Sequence, residues 1–146
     1  MAVLSIAIVI IFYAFQATMT ALTEQFSESD VSLEVHKGME RMVKELRGAL
    51  EIPSASGTSI TFWYKDINGN GTRDAAETIN YTWTGITTET LTRTMGGATF
   101  IVANKISGFS LTYDDPSNIK LIRIKLTGTA GTSINTLESS VKLRNL

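Results

Sequence analysis

The spacing of apolar and polar positions divides the chain into three stretches. From Ala2 to Leu22 nearly every position is apolar or small, and no Asp, Glu, Lys or Arg precedes Glu24. Built as a helix, these 21 residues reach about 31 Å, close to the thickness of a bilayer's hydrocarbon core, which predicts a single membrane crossing. A cleavable secretory signal fits less well, because Met1 leads straight into AVLSIAIVIIF with no basic n-region. A helix apolar on all sides has little room to hide in one small domain, so lipid or neighbouring copies must cover it.

After Thr23 the apolar positions narrow to a stripe. Val35, Met39, Met42, Val43, Leu46 and Leu50 recur mostly at steps of three and four, with Glu40, Arg41, Lys44, Glu45 and Arg47 around the rest of the helix. This amphipathic helix must lie on a partner surface, since a pair such as Glu40 and Lys44 contributes only a few tenths of a kcal/mol. Ser27, Ser29 and Asp30 in FSESD are candidate N-caps and Gly38 weakens the middle, so a bend near 26 to 31 is expected. Pro53 and SASG end the helical region.

Beyond Gly57, Thr, Ile, Val, Tyr and Phe come in short alternating runs divided by Gly, Asn and Asp, the pattern of antiparallel strands. Strands are predicted over 59–65, 77–83, 89–95, 105–113, 119–128 and within 133–145. Ile60, Phe62 and Tyr64 alternate with Thr61, Trp63 and Lys65, and Ile122, Ile124 and Leu126 with Arg123 and Lys125, so one face should cover the helix. The expected fold is α+β: residues 1–23 an apolar helix, 24–52 an amphipathic helix, and 53–146 a mostly antiparallel head of five or six strands.

Composition narrows the function. Thirteen basic against 14 acidic residues leave a net charge of −1, which removes the electrostatic case for nucleic acid as a partner. Without cysteine there is no disulfide, thiolate nucleophile or Cys-based metal site. The one histidine, His36, sits on a charged helix where no Ser-His-Asp order can be assembled, so an enzyme is not expected. Asp114, Asp115 and Pro116 read as a turn. Asn80-Tyr81-Thr82 matches a glycosylation triplet, and Trp63, Tyr64, Tyr81 and Trp83 are better explained by packing than by a sugar platform.

One motif carries chemistry. DINGNGTRDAAE fits the calcium-loop pattern D-x-[DN]-x-[DN]-G-x5-E throughout, with Asp66, Asn68 and Asn70 at positions 1, 3 and 5, Gly71 at the sharp turn and Glu77 at position 12. These side chains, the Thr72 carbonyl and Asp74, directly or through water, supply the six to eight oxygens that Ca2+ takes. Arg73 stands where helical calcium hands prefer an apolar residue, and the flanks read as strands, so the loop would cap a hairpin and staple it structurally. A plain Asn- and Gly-rich turn is the competing reading.

MAVLSIAIVII, MERMVKELRGA at 39–49 and the closing VKLRN, in that order around a β-rich head, resemble the prepilin-type family: type IV pilins, minor pilins and type II secretion pseudopilins. The resemblance covers most of the chain. It departs at the start, where the family's glycine cleavage site and Phe-Thr-Leu-Ile-Glu-like beginning are absent and Ser5 is the nearest polar position, so no assembly residue is carried over. An upstream start or a fragment is the expected reason. The resemblance implies a filament subunit, in a homo-oligomer or mixed pilin filament joined through the N-terminal helix. It also implies an inner-membrane stage before assembly and a place afterwards at the cell surface, or in the periplasm for a pseudopilin. The alternative is a solitary membrane-anchored, calcium-dependent binding module.

Overall fold

A computed structural model describes residues 2–115 and 118–143 of the chain. One helix, α1 (Ala2–Leu46), precedes β1 (Glu51–Ala55), β2 (Ser59–Trp63), a 3-10 turn (Ala75–Glu77), β3 (Thr78–Trp83) and β4 (Leu91–Met95). β5 (Ala98–Ala103), β6 (Ile106–Tyr113), β7 (Leu121–Ala130) and β8 (Ser133–Lys142) complete the chain. The strands form two antiparallel meanders, one of five strands in the order β1-β2-β3-β4-β5 and one of three in the order β6-β7-β8. The architecture is the expected α+β one, a long N-terminal helix packed on antiparallel sheet. It has two sheets where one was predicted.

The buried stripe of α1 is Val31, Val35, Met39, Met42 and Leu46, so the predicted periodicity is largely right. Val43 and Leu50 are only half-buried, and Val31 extends the stripe one turn earlier than predicted. Ile60, Phe62, Ile79, Tyr81 and Leu91 meet it from the first sheet, and Ile106, Ile122, Ile124 and Leu126 from the second. Each such side chain contributes about 1.5–3 kcal/mol by leaving water. Trp83 ties the sheets together, its Nε1 donating to the Ile106 carbonyl at 2.9 Å.

The expected bend is absent, because α1 runs unbroken through 26–31. Asp30 caps nothing; it pairs with Lys105, while Glu34 accepts the Asn104 backbone N–H at 2.6 Å. Helical geometry places these carboxylates on the head connector while Val31 and Val35 are buried, which an N-cap conformation at 27–30 would forfeit. Gly38 is the point where helix and sheets touch: a Cβ there would lie 3.1 Å from both Ala103 Cβ and Leu126 Cδ2.

β1 and β5 were not predicted. β1 contains Pro53, which has no N–H to donate and is tolerated on an edge strand, and the pairing with β2 shifts between Glu51 and Ser54. β5 returns through a two-residue turn, with Gly96 and Gly97 at φ +59° and +80°. Gly-Gly at this spacing is a hairpin signal, and it marks the missed strand. Asp114 does close the connector into β7, accepting the backbone N–H groups of Lys120 and Leu121, whose hydrogen bonds hold its carboxyl below the usual value. Pro116 of that turn, and Arg144 and Asn145 of the closing VKLRN, lie outside the described residues.

The membrane crossing must be corrected. Among the described residues no helix is long and apolar enough to cross a membrane. The prediction rested on length and lack of charge, whereas the second half of the segment carries Tyr13, Gln16, Thr18, Thr20 and Thr23 and then enters Glu24 and Gln25. The three threonine hydroxyls donate to carbonyls four residues earlier at 2.9, 3.0 and 2.9 Å, which satisfies them without making the segment hydrocarbon-like. The transmembrane helix and the inner-membrane stage drawn from it do not stand.

Candidate functional site: a carboxylate-centred loop and a bare helix

The loop from Asp66 to Glu77 joins β2 to β3 and folds around its own carboxylates. Gly69 and Gly71 take φ of +71° and +69°, conformations that favour glycine. These turns direct backbone N–H groups inward: Asp66 Oδ1 accepts from Gly69 at 2.7 Å and Asn70 at 3.2 Å, and Oδ2 from Gly71 at 2.8 Å. Glu77 ends the 3-10 turn and is 1% exposed. Its Oε1 accepts the N–H groups of Ile67 at 2.6 Å and Asn68 at 3.2 Å, and its Oε2 accepts Trp63 Nε1 at 3.1 Å. Charge-assisted bonds of this kind are about twice as strong as neutral ones, so two acidic side chains hold most of the turn together.

The remaining predicted ligands form a second group. Asn68 Nδ2 and Asn70 Nδ2 donate to Asp74 Oδ2 at 2.7 and 3.1 Å, while their Oδ1 atoms accept the N–H groups of Asn70 and Thr72 at 3.0 and 2.8 Å. Arg73 reaches out of the loop to Glu51 at 3.4 Å. The loop thus joins Asn68, Asn70 and Asp74 directly, and places Asp66 and Glu77 each against backbone donors. Among the described residues no three His, Cys, Asp or Glu side chains gather closely enough to hold a metal ion. The donor chemistry nevertheless suits a hard cation, since three carboxylates and two amide oxygens share one twelve-residue loop. Trp63 is a partner of Glu77 that the motif does not include; its position three residues before Asp66, on the outward side of β2, is the available signal.

A second polar centre escaped the sequence altogether. Glu45 on α1 accepts Tyr81 Oη at 2.8 Å and Arg93 Nε at 2.9 and 3.1 Å, with Arg41 Nε 3.5 Å away. Arg93 is 7% exposed. Burial presses its charge down, but the hydrogen bond and charge of Glu45 outweigh that and raise its pKa. Burial first, then Glu45, pushes the Tyr81 phenol well above its ordinary value. This trio clamps the helix to the five-stranded sheet. His36 is exposed on the helix face away from the core. Asn80 lies within the sheet surface, its Nδ2 donating to Ser59 and Thr61 hydroxyls and its Oδ1 accepting from Thr82.

The other feature is the bare part of α1. Ile8, Ile10, Ile11, Phe12, Phe15 and Met19 are all exposed, and the buried stripe of the helix begins only at Val31. So long an apolar surface on one element marks an interaction site.

No protein-family model, no curated protein and no solved structure matches the chain. What it shares with pilins is general: a long N-terminal helix packed on antiparallel β-sheet, a plan suited to a structural or oligomerising module.

Proposed function

We propose that the chain is a structural subunit of a type IV pilus-like filament, in which bare N-terminal helices from successive copies cover one another. The observation that carries this reading is the exposed apolar length of α1 ahead of Val31. Burying one such side chain contributes about 1.5–3 kcal/mol, and only a partner can supply the burial. The assembly consists of copies of this chain, alone or mixed with similar subunits. Neither catalysis nor nucleic acid enters its role. The test is sedimentation and negative-stain microscopy of the full chain on removal of solubilising detergent. Filaments are expected; a monodisperse, soluble monomer at tens of micromolar overturns the proposal.

A second reading concerns the 66–77 loop, favoured by the meeting of Asn68 and Asn70 at Asp74. The loop is a calcium staple: Asp66, Asn68, Asn70, the Thr72 carbonyl, Asp74 and Glu77 surround one Ca2+, and turning the two side-chain amides brings their oxygens to the ion. Binding only the folded form at about 100 times Kd adds about 2.7 kcal/mol. Calorimetric titration with calcium chloride should show one site and a raised Tm. No heat and no change in Tm at millimolar calcium identifies a plain turn.

A further inference from the structure

Of the chain's asparagines, only Asn68 and Asn70 precede glycine. Asn-Gly is the pair in which asparagine most readily loses its amide, because glycine has no Cβ to keep its nitrogen from the side-chain carbon. Both asparagines are exposed, and open space surrounds Gly69 and Gly71 where a Cβ would stand. The side-chain carbons are primed for attack. Asn68 Oδ1 and Asn70 Oδ1 accept the N–H groups of Asn70 and Thr72 at 3.0 and 2.8 Å, which stabilises charge developing on those oxygens. The attacking nitrogens, by contrast, are held back. Gly69 N–H donates to Asp66 Oδ1 at 2.7 Å and Gly71 N–H to Asp66 Oδ2 at 2.8 Å, so one carboxylate occupies both. Attack requires the nitrogen to give up its proton; an anionic acceptor favours the protonated form and opposes negative charge beside it.

We infer that Asn68 and Asn70 are sites of spontaneous deamidation and that Asp66 guards both by holding the glycine nitrogens. The inference rests on neither the filament nor the calcium reading. In the reaction the glycine nitrogen bonds to the asparagine Cγ, the Cγ–Nδ2 bond breaks, and the glycine proton leaves on the departing ammonia, closing a succinimide. Water then cleaves one of the two imide C–N bonds, giving aspartate or isoaspartate, with no oxidant or reductant involved. The product does not restore the loop. Asn68 Nδ2 and Asn70 Nδ2 donate to Asp74 Oδ2 at 2.7 and 3.1 Å, and each conversion puts a carboxylate where a donor stood. Like charges then meet at Asp74, and the turn loosens.

The test is peptide-mapping mass spectrometry of the full-length chain, kept in detergent and in EDTA so that no cation enters, during incubation in mildly alkaline buffer. Amide-to-acid conversion at Asn68 and Asn70 should be at least tenfold faster in D66A than in the unaltered chain, since a hydrogen bond to a charged group is worth roughly ten- to hundredfold. Amide hydrogen exchange should show Gly69 and Gly71 released in D66A, while Ile67, held by Glu77 at 2.6 Å, keeps its protection. R73A cuts the loop's tie to Glu51 but leaves Asp66 in place, and should convert at close to the unaltered rate. In urea, D66A and the unaltered chain should convert alike, because the guard exists only in the fold. A folded D66A chain that converts no faster, or that loses Ile67 protection together with that of the glycines, overturns the guard. So does a D66A effect that survives in urea. No conversion at either asparagine even in urea removes the sites. The double variant N68D/N70D, carrying the product's charge, should raise exchange at Gly69 and Gly71; unchanged exchange overturns the loosening at Asp74.

Discussion

Gly128 on β7 shows how little space separates helix from sheet. A Cβ there would come within 2.7 Å of Val35 Cγ2 and 2.8 Å of Val31 Cγ1, with the Lys105 carbonyl 3.2 Å away. Valine has no flexible end to swing aside, so Gly128→Ala should cost about 1–3 kcal/mol, read as a lower urea midpoint with unchanged slope. Glu77 is the comparable residue in the loop. Glu77→Ala leaves the Ile67 and Asn68 amides without their acceptor and the Trp63 indole with the Lys65 carbonyl alone, at about 1–3 kcal/mol or more. Faster hydrogen exchange at Ile67 and Asn68 should accompany that loss, while Ile60 and Ile79 in the adjoining strands keep their protection.

At the scale of elements, the Glu45, Arg93 and Tyr81 cluster joins α1 to β3 and β4. Removing one member strands a charge: Arg93→Met should cost about 3–5 kcal/mol, and Glu45→Gln with Arg93→Met should recover part of it, measured as a double-mutant cycle. Tyr81 adds a pH dependence. Its folded pKa is raised by burial and by Glu45, so its contribution is complete below the unfolded value of about 10 and drains away as pH climbs above that. Chemical denaturation between about pH 9 and 11 should therefore show falling stability, with a shallower fall in Tyr81→Phe.

At the scale of the molecule, the head closes a core of its own around the second half of α1, and the described side chains ahead of Thr23 are exposed. Removing residues 2–22 should give a monomer whose head unfolds at nearly the same Tm as in the full chain, checked by ultracentrifugation and circular dichroism. The reason is that the buried stripe begins at Val31, well after the cut. Loss of the head's cooperative transition on that truncation would mean that the bare segment also packs within its own chain.

The sequence by itself determined what depends on local period. The 3.6-residue stripe from Val35 to Leu46, the alternation in β2 and β7, and the turn-rich loop with Gly71 at its sharp turn are all legible because neighbouring positions impose them. Gly96-Gly97 was equally local, and β5 was there to be read from it. Hydropathy of the first helix is legible too: length and missing charge suggest a membrane crossing, but Gln16 and the threonines make the segment too polar for one. Tertiary structure alone decided the rest. It kept α1 straight through FSESD, because Asp30 and Glu34 find partners on the head only from a continuous helix. It divided the strands into two sheets and buried Arg93 against a carboxylate 48 positions away. It turned Asp66 and Glu77 toward backbone amides, and it left Leu33 facing solvent while Val35 was covered. Those outcomes come from contacts between segments far apart in the chain, which no window of sequence contains.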